Sequence, residues 1–279
     1  MFSLLLKIVV IFVFSATPIM AVGEIAEPTL ILENGDKKLS FSRSDLLKRS
    51  DLKKIEVKED PSYPGRVMIY QAVPVAALFA QTSIAPDAVI EFKCLDGFAA
   101  TISQSRILNT DPKRSVAYVA IESAAESWPS VKSEGPSAGP FYLIWLHPEL
   151  SSIAQEEWPF QLAGFAVKGS LQAMYPAIFP AQGAPSSVQR GFQSFTRNCF
   201  PCHTINKSGP SDVGPDLNVP KSVTEYFTPG VLRTLIRNPQ DLRYFPRSRM
   251  SAFPSSILPD AELEDLIAYL GYMSKRKRP

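Results

Sequence analysis

Cys199-Phe200-Pro201-Cys202-His203 places two thiols three positions apart, with an imidazole directly after the second. Within a helical turn, two sulfurs at that separation can each reach a vinyl group on one edge of a porphyrin. The adjacent imidazole then projects to the iron from the same segment, which is the C-x-x-C-H pattern of covalent haem attachment. Two other chemistries share part of this string. A structural zinc site needs about four ligands, and outside the string the chain offers only Cys94 and His147. A thioredoxin-like redox pair is expected on a helix that follows a strand, and the residues before Cys199 do not read that way.

With His203 on one side of the iron, the sixth position decides what a haem does. A thioether there raises the reduction potential and closes the iron to small molecules. Of the 6 methionines, only Met250 and Met273 lie downstream of the string. Met273 falls inside a terminal helix, where packing is the ordinary role. Met250 lies in an irregular segment, Pro246 to Pro254, able to wrap the far side of a ring, and is the expected second ligand.

The elements that must hold these residues are helical. Gln189–Asn198 keeps Phe192 and Phe195 on one face. Pro229 starts a helix that runs to Arg237 and stops before Pro239. Asp260 is the expected cap of a last helix whose stripe is Leu263, Leu266, Ile267 and Leu270, at helical spacing.

Upstream, the chain reads as mixed α and β. Strands are expected at Thr29–Leu32, Lys54–Val57, Val67–Tyr70, Val89–Cys94, Phe98–Ile102, Val116–Ile121, Phe141–Leu146 and Phe160–Val167, with Asp96-Gly97 as a hairpin turn. Ser42 or Ser44 suits a helix cap before Leu47, and Pro74 the start of a short helix. A single sheet carrying a few helices is the expected outcome, since each sheet face must be buried. Residues 171–187 are rich in Pro, Ala, Ser and Gly and read as a linker. The expected fold class is α+β: a mixed region over 27–170, then an all-α domain over 188–275.

Leu4 to Met20 is almost wholly apolar, broken by Lys7, and small residues follow at Ala21 and Gly23. Its length suits the apolar core of a secretory signal more than a membrane span. Residues 1–23 are therefore expected to direct export to the periplasm, with membrane attachment only if they are retained. The 279 residues carry 29 basic and 27 acidic side chains, a net +2, so no global charge argues for nucleic acid. Three cysteines are too few for a disulfide scaffold.

Residues 191–272 resemble a class I cytochrome c. The marks are Gly191 and Phe195 on a first helix, the attachment string, Gly214-Pro215-Asp216-Leu217, and a final helix containing Asp265-Leu266-Ile267-Ala268-Tyr269-Leu270. The resemblance implies one covalent haem c bound by Cys199, Cys202, His203 and Met250. It also implies that the Pro215 carbonyl meets the proximal imidazole and that Gly191 lets the first helix press on Tyr269.

The N-terminal region is similar to the sulfite-oxidase-type molybdopterin-binding fold. The shared order is Tyr70-x-x-Val73-Pro74-x-x-x-Leu78, Asp96-Gly97-Phe98, Gly139-Pro140-Phe141-Tyr142-Leu143, then Trp158. That family's molybdenum-binding cysteine has no counterpart in Asp51 to Val67. Cys94 comes one strand too late, and groups able to hold a pyranopterin phosphate are scarce. The resemblance therefore implies a degenerate domain without molybdopterin, for which docking is the expected role; Cys94 reads as a small buried side chain on a strand and His147 as a loop residue. The alternative is a fused molybdenum oxidoreductase of the sulfite dehydrogenase type. Between Lys221 and Met250, Arg233, Arg237, Arg243, Arg247 and Arg249 outnumber Glu225 and Asp241. Such a rim would steer an acidic redox partner.

Overall fold

The computed structural model describes residues 26–278 apart from 133, 211–212, 245–247 and 249. The expected signal segment, Arg247 and Arg249 thus lie outside the described residues.

The buried apolar side chains fall into two clusters, one drawn from Leu30 to Phe165 and one from Ile178 to Met273. The first is built by two sheets rather than the one expected. β1 (Thr29–Asn34), β2 (Lys37–Ser42), β5 (Ala88–Cys94), β6 (Ala99–Ser103) and β9 (Leu162–Ser170) form one sheet in the order β2-β1-β9-β5-β6. β3 (Lys53–Val57), β4 (Met68–Pro74), β7 (Val116–Ile121) and β8 (Phe141–Leu146) form the other in that order. Two sheets arise because β7 and β8 are apolar along nearly their whole length and need cover on both faces. Short helices α1 (Arg43–Leu47), α2 (Val75–Leu78) and α3 (Gln104–Ile107) close the corners. Ser42 caps α1, its hydroxyl accepting from Asp45 N.

A polar knot fixes this core. The buried Asp60 carboxylate accepts from Tyr70 Oη at 2.6 Å, Tyr142 Oη at 2.8 Å and Ser62 N at 2.8 Å. Tyr63 Oη donates to Pro129 O and accepts from Ala138 N, so the loop at 60–63 is tied to the chain that precedes β8.

Residues 171–187 are not a free linker. They contain α4 (Leu171–Met174), a 3₁₀ turn at Pro176–Ile178, and the first residues of α5 (Ser186–Asn198). Ile178 is fully buried in the second cluster, with Leu171, Tyr175 and Phe179 packed against it. Proline and alanine give the stretch a linker's composition, but four apolar side chains anchor it.

The helical domain continues with α6 (Val223–Tyr226), α7 (Pro229–Arg237), α8 (Pro239–Leu242) and α9 (Asp260–Ser274). Asp260 is the first residue of α9 rather than its cap; Pro259 takes the cap position without a side-chain bond, and Asp260 accepts from Arg237 Nη2. α5 and α9 cross where Gly191 meets Tyr269. A Cβ at Gly191 would strike the backbone carbonyl of Asp265 and lie 2.8 Å from Tyr269 Cβ. Below the crossing, Tyr269 Oη donates to Ile178 O at 2.7 Å, which pins the 171–187 segment under it. Gly191→Ala is expected to cost about 1–3 kcal/mol through overpacking, read as a lowered thermal midpoint of the helical domain.

Candidate functional site

The attachment string is the unwound continuation of α5. Cys199 N and Phe200 N donate to Phe195 O, and Cys202 N and His203 N donate to Cys199 O at 3.0 and 2.9 Å. Cys199, Phe200, Pro201 and Cys202 thereby complete a turn, and His203 leaves it on the side of the Gly214–Leu217 loop. No disulfide joins the two thiols. Burial pushes the Cys199 thiol up, with the charges of Glu156 and Cys202 acting in the same direction. A thiol–disulfide catalyst needs the opposite shift. No group of three or more His, Cys, Asp and Glu fit for a metal occurs among the described residues, so the zinc reading finds no ligand set.

His203 is oriented by its far ring nitrogen. Nδ1 lies 2.8 Å from Pro215 O, and because a carbonyl only accepts, Nδ1 carries the proton and Nε2 is left bare for a metal. Burial lowers the pKa of this imidazole, against the raising effects of the Pro215 carbonyl and of Asp216. A neutral ring is the form a metal binds. Gly214 sits flat against it, since a Cβ there would lie 2.6 Å from Nδ1.

Asp216 holds the loop that presents Pro215. Its carboxylate accepts from Thr204 Oγ1, Lys207 N, Asn218 N and Val219 N at 2.6–2.8 Å. Burial works against the charged form, but these four bonds keep the carboxyl below its ordinary range. Asn218 then donates to Met273 O and Asn206 Oδ1, tying the loop to the end of α9. Met273 itself is a buried core side chain.

Cys199, Cys202, His203, Pro215 and Met250 all line one cavity of about 550 Å³ whose other walls are largely apolar, among them Leu232, Ile236, Phe253, Leu266 and Leu270. That volume is typical of a cofactor site. Met250 enters from a segment moored to α7: Phe253 N donates to Ile236 O, and Arg237 Nη1 donates to Phe253 O and Leu258 O. The lining thus combines two cysteine sulfurs, an oriented imidazole and a thioether with largely apolar walls, a set suited to a large apolar ligand that carries a metal.

The acidic member of the lining was not foreseen. Glu156, from the 3₁₀ turn Gln155–Glu157 ahead of β9, reaches the same cavity, and its Oε2 is buried with no hydrogen-bond partner. No local pattern around residue 156 signals this, because its neighbours in the cleft are more than forty positions away in sequence.

Of the five arginines expected to form a positive rim, Arg233 is bound by Glu264 and Arg237 by Asp260. Both acids belong to α9, outside the stretch in which the sequence shows an arginine excess.

A second cavity, of about 700 Å³, lies in the N-terminal region and is lined by Arg43, Glu122, Trp128, Gly139, Pro140 and Leu162, among others. Cys94 does not line it; burial raises that thiol, followed by the charge of Asp96. Arg43 is its one cation among the described lining residues. Among the described lining residues there is thus neither a thiolate ligand nor the basic cradle that a pyranopterin phosphate needs.

An all-α domain with an oriented imidazole beside a paired-thiol turn defines a covalent haem-binding module. Residues 188–274 match the family model described as Cytochrome c, so this part of the chain is a cytochrome c domain, implying covalent haem c and a haem-based electron-transfer role. No curated protein matches the chain.

Proposed function

We propose that this protein is a periplasmic electron carrier holding a single haem c with His203 and Met250 as axial ligands, and that its N-terminal domain is a docking module. The observation that supports it most is the His203 Nδ1 bond to Pro215 O, which turns the other ring nitrogen into a cleft shared by Cys199, Cys202 and Met250. Bound haem supplies a one-electron couple at its iron. Cys199 and Cys202 would tether it, and His203 Nε2 and the Met250 thioether would bind its iron. The largely apolar walls would limit solvation of the change in charge between oxidation states.

Export is supported by the apolar run at Leu4 to Met20. Among the described residues no helix is long and apolar enough to cross a membrane. The partner is proposed to be a redox protein with an acidic docking face, on the strength of the excess of arginine over acidic residues in the sequence between Lys221 and Met250.

Redox titration of the purified full chain, with its metal content, tests the proposal. The expected result is one reversible electron per iron, no carbon monoxide adduct of the reduced native protein, and molybdenum far below iron. Molybdenum at parity with iron would overturn the reading in favour of the fused oxidoreductase. Ready carbon monoxide binding would favour a small-ligand sensor.

A further inference from the structure

The turn that carries Glu156 is built to hold it still. Arg106, at the end of α3, grips the Glu157 carboxylate with Nε at 2.7 Å and Nη2 at 2.9 Å, and Nη2 also donates to Ser152 O. Glu157 Oε2 accepts from Ala154 N at 2.7 Å, and Glu157 O accepts from the buried Trp145 indole at 2.7 Å. Glu157 is thus committed to its own domain, while Glu156 beside it lines the haem cleft, near enough to Cys199 for its charge to raise that thiol, with its Oε2 buried and unpartnered. A buried carboxyl oxygen without a partner is costly, and the N-terminal domain maintains it with three backbone and side-chain anchors.

We propose that Glu156 is the proton acceptor of the haem: its carboxylate takes up one proton when the haem gains one electron, so that the N-terminal domain couples reduction to protonation. This rests on the haem-carrier reading above. The oxidised haem iron bears one more positive charge than the reduced, and at low dielectric that charge favours an ionised carboxylate nearby. When the electron arrives from the redox partner, iron(III) becomes iron(II), and one O–H bond forms on Glu156 as one O–H bond of a solvent hydronium ion breaks and leaves water.

The surroundings leave Glu156 placed for this exchange. Burial pushes it up to about 7, its own backbone N–H opposes, and the Glu157 charge adds to the rise. Arg106 is engaged by Glu157. From α5, Arg190 and Arg197 are held by Asp265 and Glu262. β6, which also packs on the turn, has no ionisable side chain. In the cleft, Cys199 and Cys202 become thioethers once haem is attached, His203 is taken by iron, and burial raises the Tyr226 phenol so that it stays neutral.

The test is the midpoint potential of the haem-loaded full chain from pH 5.5 to 8.5 (about one and a half units either side of neutrality), in wild type and Glu156→Gln. Each tenfold fall in proton activity should weaken wild-type reduction by up to tenfold, about 59 mV for one electron, so the potential falls as pH rises. Glu156→Gln should flatten that slope while keeping the haem spectrum. Reduced-minus-oxidised infrared spectra give an independent readout: a protonated-carboxyl band should appear on reduction of the wild type and be missing in the variant. Equal slopes in the two proteins, or no carboxyl band in the wild type, overturn the assignment of Glu156 and leave the carrier reading intact. A chain without covalent haem would defeat both.

Discussion

Met250→Ala should convert a closed haem into an open one. The variant is expected to bind carbon monoxide in its reduced form at least tenfold more tightly than the wild type. Its midpoint potential should drop by on the order of 100 mV, a fraction of the roughly 0.8 V that axial ligands span. The physical basis is that, on the proposed ligation, the Met250 thioether would favour the reduced iron and close the site left open by His203. The fold should tolerate the change, because Met250 is half-buried and its segment is moored by Phe253 and Arg237 rather than by the thioether. Gas titration and potentiometry on both proteins check this, and identical behaviour of the two removes Met250 from the coordination sphere.

Replacing Cys199 and Cys202 together with serine has the other large expected effect. Covalent haem should fall by more than tenfold, and the helical domain should lose stability with it. A cleft of about 550 Å³ lined by Leu232, Ile236, Leu266 and Leu270 has too little protein of its own to fill it. Whatever binds only the folded state supports that state, so the tethered cofactor contributes to the fold. Haem content by absorbance and the thermal midpoint of the purified variant report the two effects. Full haem content in the variant would contradict the attachment.

The site was largely legible because its parts are local. The attachment turn, the Gly214–Leu217 loop and the stripe of α9 each lie within a few residues, and each has a residue type that its geometry requires. Gly214 must lack a side chain to lie against the imidazole, and Gly191 must lack one to admit α9. Asp216 is in the same loop, but its role as a four-bond anchor emerges only when Thr204 and Lys207 are seen folded back on it.

What was illegible depended on distant pairing. β2 was missed because Lys37–Ser42 is short and largely exposed, with only Leu39 and Phe41 as apolar side chains. The division of the strands into two sheets follows from which of them neighbour β9 and β7, information that lies in packing rather than in any window of sequence. The 171–187 stretch misled through composition, since its apolar residues are spaced irregularly among prolines and alanines. Glu156 was invisible for the same reason as the sheets: it meets the cleft through the fold of a different part of the chain.

The resemblance of the N-terminal region to a molybdopterin-binding fold concerns order of motifs, and the family match over 188–274 does not bear on it. In the cavity lined by Arg43 and Trp128, a phosphate-bearing cofactor would find one cation among the described lining residues.

Extraction of the purified protein with acidified organic solvent tests the attachment most directly, because the solvent removes haem held by coordination and leaves haem held by carbon–sulfur bonds. Colour that stays with the polypeptide is the predicted result. Colour that passes into the solvent, leaving a pale chain, would contradict the account at its root.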